Sequence, residues 1–242
     1  MKKKIIENSK TLLWALFIAL IIRSLFFQPF YIPSSSMEPN LLIGDRLFVS
    51  KYTYGFSRHS FPFSPNFSNK RFFGKMPERG DVLVFKTPAD NRTDYIKRLI
   101  GLPNDTIQFV DGEIFLNDKK LIKNKENISL KINCGGLNFN SEIFKETLPN
   151  GKSYLTAYNP EGSFKNSDKY IVPENHYFFM GDNRDCSRDS RFLGSVGYVS
   201  FVNLVGKARV IFFSNDISIA SFFKFWKWNS SLRIKRFFKE IK

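Results

Sequence analysis

The sequence predicts a mainly β protein carried on one N-terminal membrane helix, and three observations predict it. Residues 11–33 form an apolar run interrupted by a single charge, Arg23. Beyond it, short runs that alternate in polarity or are rich in β-branched and aromatic residues recur between Gly, Pro and Asp breaks. Asp111-Gly112 separates two such runs, TIQFV and EIFL, which is a strong short-range signal for a hairpin.

The chain opens with MKKKIIENSK, four lysines against Glu7. The apolar segment that follows, taken as an anchor over residues 11–28, has about the length a membrane helix needs, roughly 20 residues. Arg23 lies toward its far end, where a long side chain reaches the headgroups at modest cost. A cleaved signal peptide has the same basic start and apolar core. Here the apolar stretch runs on into FFQPFYIP without a small-x-small cleavage site, which favours a retained anchor. The upstream lysines place residues 1–10 in the cytoplasm and send 29–242 outward. In that body DRLFVSKYTY, GDVLVFKT, DTIQFVDGEIFLNDKKL, DKYIVPENHYFFMGDNRD and VGKARVIFFS read as strands. Residues 122–168, rich in Asn, Lys, Ser and Gly, read as a looser elaboration between them. The tail SSLRIKRFFKEIK suits a helix capped by Ser231, with Ile234, Phe237, Phe238 and Ile241 on one face and Lys235, Arg236, Lys239 and Lys242 on the other. With FFKFWKW before it, residues 222–242 read as a basic aromatic segment lying in a membrane interface, the alternative being a core-facing amphipathic helix.

A net charge of +15 suggests nucleic acid at first. Its distribution argues otherwise: residues 1–10 and 221–242 hold nine of the fifteen charges, beside apolar segments, as membrane topology or surface contact requires. No nucleic-acid partner is expected. Cys134 and Cys186 are too few for a disulfide framework and have no His or Cys at metal-ligand spacing. They suit at most one bridge, which sequence separation neither requires nor excludes. His59 and His176 are isolated and expected in loops or at the surface, so neither a His-based triad nor a metal site is expected.

Three segments remain as candidates for chemistry. YIPSSSMEPN, residues 31–40, is either a linker leaving the anchor or a segment with a reactive serine. A serine hydroxyl needs a base, and without a placed His the candidates are carboxylates or a lysine made neutral by burial. Lys97 sits in DYIKRLIGLPND between apolar residues. Local sequence lets its side chain face solvent or turn inward, where desolvation would lower its pKa. GDNRDCSRDSR, residues 181–191, is either a solvated loop or a polar network built around a site.

Together, PSSSMEPNLLIGDRLFVSK, RGDVLVFK, YIKRLIGLPND and GDNRDCSRDSRFLG resemble, in order and setting, the motifs of bacterial type I signal peptidases, which use a Ser-Lys dyad. The resemblance reaches from about residue 10 to 215. It implies an antiparallel β catalytic domain with a second β subdomain inserted over about 106–175, and a serine endopeptidase with no cofactor and no metal. It implies Ser36 as nucleophile and Lys97 as general base. Ser34 and the Ser36 backbone N–H become the oxyanion-hole donors, Ser187 the group that holds the lysine amine, Asp189 and Arg191 a supporting pair, and Asp182 a partner for Arg98. Phe30, Ile32, Met37, Leu41, Tyr95 and Ile96 flank the dyad as candidates for shallow substrate pockets. The implied partners are exported preproteins with signal peptides, cut after small residues of Ala-x-Ala type, and a bilayer with anionic lipids. The implied location is the cell (inner) membrane with the catalytic domain on its outer, periplasmic side. Asn40 stands where the family has Thr and Asn104 where it has Gly; Asn tolerates the positive φ a turn at 104 needs.

Two other protein classes share some of these features. Self-cleaving repressors share Ser-Lys chemistry but carry a DNA-binding helix-turn-helix, for which the apolar N-terminus leaves no room. An anchored, non-enzymatic β domain that binds envelope components would use the serines only as a tether; activity against a preprotein separates it.

Overall fold

The computed structural model describes residues 2–162 and 164–242. Helix α1 (Lys2–Ile21) runs into a π turn over Ile22–Phe26. The span Glu7–Phe26 is long and apolar enough to cross a membrane, and its Leu12, Leu13, Trp14, Leu16, Phe17 and Ile18 are exposed. The helix starts before residue 11, and Phe27 already opens β1 (Phe27–Tyr31), so residues 27 and 28 of the expected anchor belong to the body.

Strand β1 pairs antiparallel with β2 (Asp45–Ser50), and a 3-10 turn, Ser35–Met37, lies between them. Next come β3 (Val82–Lys86) and β4 (Asp94–Gly101), paired so that Leu83 faces Lys97. The chain then leaves this sheet. A small sheet forms from β5 (Thr106–Val110), β6 (Glu113–Leu116) and β7 (Lys119–Lys120), and a second from β8 (Ile122–Cys134), β9 (Leu137–Thr147) and β10 (Ser153–Tyr158). After β11 (Tyr170–Ile171) completes the first of these, β12 (His176–Met180), β13 (Val199–Ser200) and β14 (Leu204–Ser214) return to the main sheet. Its order is β1-β2-β14-β3-β4-β12-β13. The short α2 (Trp228–Ser231) and β15 (Lys239–Glu240), which pairs with β14, close the chain.

Local sequence accounts for much of this. Asp111 and Gly112 both take positive φ, 51° and 78°, the conformation a two-residue hairpin needs if its twist is to match the strands. Asn104 turns at φ 69°. VLVF is apolar throughout because β3 is covered on both faces: Val82 and Val84 pack with Leu47, Val49, Val205 and Ile211, while Leu83 and Phe85 pack with Leu99, Tyr177 and Phe179.

Three expectations are corrected. Residues 122–158 are not loose: β8 and β9 form a long ribbon turned at Gly135-Gly136, both with positive φ. Its composition is polar because only a few positions, among them Ile132, Ile143 and Ala157, are buried. His59 is buried at 3% exposure, with Nδ1 on Ser64 Oγ and Nε2 accepting from Arg58 Nε. Burial beside Arg58 pushes its pKa down to about 4, so the ring is neutral.

The third is the tail, which is not an amphipathic helix. Ser231 ends the four-residue α2 instead of capping a helix, Ile234–Arg236 is one 3-10 turn, and residues 239 and 240 are strand. Specific partners on the body outweigh helical propensity. Arg233 pairs with Asp216, Arg236 with Asp45, and Ile241 is buried in the core beside Ala208 and Ile211. Ile234 and Phe238, expected on one apolar face with Phe237 and Ile241, are instead exposed.

Candidate active site

Three segments distant in sequence meet at one point. The turn Ser35–Met37 follows β1, Lys97 stands on β4, and residues 181–191 loop out directly after β12, the neighbour of β4. Lys97 Nζ and Ser36 Oγ lie 2.6 Å apart, with the residues 3% and 7% exposed. The lysine thus faces inward, the alternative that local sequence left open. Burial lowers its pKa from 10.5 to about 8, against the upward pull of the Asp189 and Asp182 carboxylates; Arg191 adds a smaller downward push. At pH 7 about one such amine in ten is neutral, compared with about one in three thousand for an ordinary lysine. The exposed Ser34 has its Oγ 3.3 Å from Ser36 Oγ.

The loop holds the serine from behind. Asn183 donates from its backbone N to Ser36 O at 3.1 Å and from Nδ2 to Ser35 O at 3.1 Å. Gly181 donates to Asp189 Oδ2, and a Cβ on it would stand 2.2 Å from Ser187 Oγ and 2.5 Å from Ser36 O. Close packing therefore requires glycine here. Asp189 forms a two-point pair with Arg191, Nε to Oδ1 at 2.8 Å and Nη2 to Oδ2 at 2.9 Å, and this pair keeps the Asp189 carboxyl below its ordinary pKa despite burial. Ser187 Oγ is buried and, among the described residues, makes no hydrogen bond of normal geometry, so the contact expected between it and Lys97 is absent from this arrangement. It instead lies close enough to Asp189 to help hold that carboxylate ionised.

A second network lies beneath. Arg98 grips Asp182 through Nε and Nη2, each at 2.7 Å, and Asp182 Oδ2 also accepts from Asn40 Nδ2 at 2.7 Å. Asn40 further donates to Leu155 O of β10, tying the serine segment to the inserted strands. Arg184, within the 181–191 loop, pairs with Glu146 of β9 at 2.6 Å and donates to Gly181 O. A Cys134–Cys186 disulfide joins β8 to the same loop, and Ser35 Oγ donates to Asn133 O at 2.6 Å next to it. Nothing local pointed to Glu146, which stands in a polar ribbon and meets Arg184 only in the fold. Arg184 and Asn183 lay within the loop motif without an assigned role.

Of the expected pocket residues, Ile32, Met37 and Leu41 are fully buried in the core and can only back a pocket. Phe30 and Ile96 are partly buried against that core, and Tyr95 is partly buried against the other, with its ring 5.5 Å from Lys97 Nζ. Among the described residues no three His, Cys, Asp or Glu side chains are grouped to hold a metal. A buried lysine touching a serine hydroxyl, with a second hydroxyl beside it, suits acyl transfer by a serine nucleophile.

The chain also matches known proteins. Residues 5–213 match the family described as signal peptidase, peptidase S26. The chain is 41% identical over 241 residues to Signal peptidase I of Rickettsia prowazekii (strain Madrid E), covering 93% of this chain and 89% of that protein. It is 42% identical over 242 residues to Signal peptidase I of Rickettsia typhi (strain ATCC VR-144 / Wilmington), with the same coverage. A solved signal peptidase I structure from Enterococcus faecalis V583 is 28% identical, covers 55% of this chain and 97% of its own, and aligns with a TM-score of 0.33. The chain belongs to the signal peptidase family, peptidase S26.

Proposed function

We propose that this signal peptidase, a serine hydrolase of its family, cuts exported preproteins with Ser36 as nucleophile and Lys97 as general base. The observation that carries the proposal is the 2.6 Å contact between a buried, pKa-lowered lysine and the serine hydroxyl. Neutral Lys97 takes the Ser36 proton as Oγ attacks the scissile carbonyl. The tetrahedral oxyanion is held by the Ser34 hydroxyl and the Ser36 backbone N–H. The Lys97 ammonium then protonates the leaving amine. In the second half Lys97 activates a water that releases the acyl group from Ser36. Ser187, whose hydroxyl has no bond of normal geometry, is assigned to receive the Lys97 amine once it parts from Ser36. The Asp189–Arg191 and Asp182–Arg98 pairs keep the loop and β4 in place around the dyad.

Substrate specificity follows from the surround. Strand β1 is an edge of the main sheet and leads directly into Ser34. A signal peptide adds along it through main-chain bonds, and shallow apolar walls at Phe30, Tyr95 and Ile96, backed by Ile32, Met37 and Leu41, admit only small side chains of Ala-x-Ala type. The apolar helix fits a single-pass anchor. The lysines at residues 2–4 and 10 place its start in the cytoplasm and the catalytic body on the periplasmic side of the inner membrane. Exposed Phe223, Phe225 and Trp226, with neighbouring lysines, contact anionic lipids there. The test is cleavage of a preprotein by the full chain in detergent: the parent protein cuts, and a folded Ser36→Ala variant does not. Equal cleavage by both would overturn the assignment.

A further inference from the structure

Where the anchor helix meets the β body, a second group of cations surrounds a cavity of about 610 Å³ that takes no part in the dyad. Its lining includes Arg23, Lys51, Arg58, Lys86 and Arg92, against two carboxylates, Asp90 and Asp94. Both carboxylates are already engaged. Asp94 pairs with Lys86 at 2.9 Å, and Asp90 accepts from the backbone N of Arg92 and Thr93 and from Thr93 Oγ1. Among the described residues Arg23, Lys51, Arg58 and Arg92 have no ion-pair partner. Lys51 is the unusual member: it is 2% exposed, and its ammonium donates to one acceptor, Ser60 O, at 2.5 Å. Burial and then the nearby Arg23 charge lower its pKa to about 8, with Lys86 adding a smaller push against Asp94. A buried cation held among other cations costs stability unless an anion joins it.

The position of the cavity identifies the anion. Lys51 N donates to Phe26 O at 2.9 Å, and Phe26 is the last residue of the apolar span. Lys51 and Arg23 therefore sit at the depth where a spanning helix reaches the phosphate layer. The lining also carries Phe61, Pro62 and Phe63; Phe63 is fully exposed, and Phe67, Phe72 and Phe73 are exposed on the same 56–76 segment. Cations beside exposed phenylalanines match a molecule with a phosphate at one end and acyl chains at the other.

We propose that this cavity binds the phosphate of an anionic phospholipid in the surrounding bilayer, with Arg23, Lys51 and Arg58 as its ligands. The proposal rests on the anchor assignment above, and its test is independent of cleavage. The full chain is floated on phosphatidylcholine liposomes, which checks the anchor alone. Retained lipid is then counted by native mass spectrometry from detergent containing equal phosphatidylglycerol and phosphatidylcholine. The parent protein should retain one phosphatidylglycerol in preference. Arg58→Gln and Lys51→Met should each lower the retained fraction about fivefold, the effect of removing one cation from an anionic surface, while Lys119→Gln, exposed on β7 and outside the cavity lining, should not. Arg58→Gln should still cut a preprotein in detergent at the parent rate, which shows that it is folded. Equal retention of the two lipids, retention unaffected by Arg58→Gln and Lys51→Met, or displacement of the lipid by millimolar inorganic phosphate would overturn the proposal. The last result would make the cavity a site for soluble phosphate, and capture of an acidic peptide in place of lipid would do the same for a peptide.

Discussion

Replacing Gly181 by Ala perturbs the dyad without substituting either of its members. The added methyl would stand 2.2 Å from Ser187 Oγ, 2.4 Å from Ser187 Cβ and 2.5 Å from the Ser36 carbonyl oxygen. Ordinary contact requires roughly 3.4 Å, so something must yield by about 1 Å. The serine side chain at 187 can rotate, but Ser36 O is backbone and is also held by Asn183 N at 3.1 Å. Relief therefore moves Ser36 relative to Lys97 and stretches a 2.6 Å contact. Overpacking of this kind costs about 1–3 kcal/mol, or about 2–4 °C in Tm per kcal/mol for a body of this size. Misplacing a reacting group by about 1 Å costs on the order of a hundredfold in rate. The assay is kcat and KM for preprotein cleavage by the full chain, alongside thermal unfolding. Gly112→Ala is the comparison: at φ 78° with nothing within 4 Å of a Cβ, it strains the hairpin turn but meets no neighbour. It should cost about 1–2 kcal/mol of stability and leave kcat unchanged. The expected outcome for Gly181→Ala is a kcat lower by about two orders of magnitude with KM little changed. A kcat within twofold of the parent would refute the reasoning, because the serine would then not depend on that packing.

Further outcomes follow from the same geometry. Ser187→Ala should lower kcat by roughly 10- to 1000-fold with a smaller effect on KM, as for a misplaced base; parent-like kcat would show that Lys97 needs no help from it. Asp182→Asn leaves Arg98 buried without its counter-charge and should cost about 3–5 kcal/mol by denaturant unfolding, whereas a loss below 1 kcal/mol would show that the Arg98 bonds to Gly80 O and Lys242 O suffice. Changing Phe223, Phe225 and Trp226 together to Ser should weaken binding of a protein lacking residues 1–28 to anionic vesicles without lowering its Tm, since all three are exposed; unchanged co-sedimentation would remove the tail from the membrane contact.

The parts legible in the sequence were those encoded locally. Asp111-Gly112 specified its turn through two positive φ values, and Asn104 took the φ expected of it. The apolar run gave the helix, although the switch to strand at Phe27 depends on pairing with Ser50 and could not be placed from composition. The serine and lysine were recognisable only as members of an ordered set of motifs. That Lys97 turns inward is a consequence of β4 lying between β3 and β12. The tail shows the limit of periodicity. Its apolar spacing suited a helix, yet Arg233, Arg236 and Ile241 each found a partner on the body that a helix could not satisfy together. Glu146 and Arg184 illustrate the same limit in the site: an ion pair between a polar ribbon and a loop 38 residues away has no local signature.

The central claim is that Lys97 is neutral often enough to act as base, and the pH dependence of kcat/KM for preprotein cleavage tests it most directly. A base works when deprotonated, so the rate must rise with pH and level off above the pKa of the lysine. With that pKa lowered to about 8 by burial, kcat/KM should be half-maximal near pH 8, rise about tenfold between pH 7 and 9, and then plateau. A rate that climbs about a hundredfold over the same interval and is still climbing at pH 10 would belong to an ordinary lysine, and one that is flat from pH 6 to 9 would belong to no lysine at all; either would contradict the account.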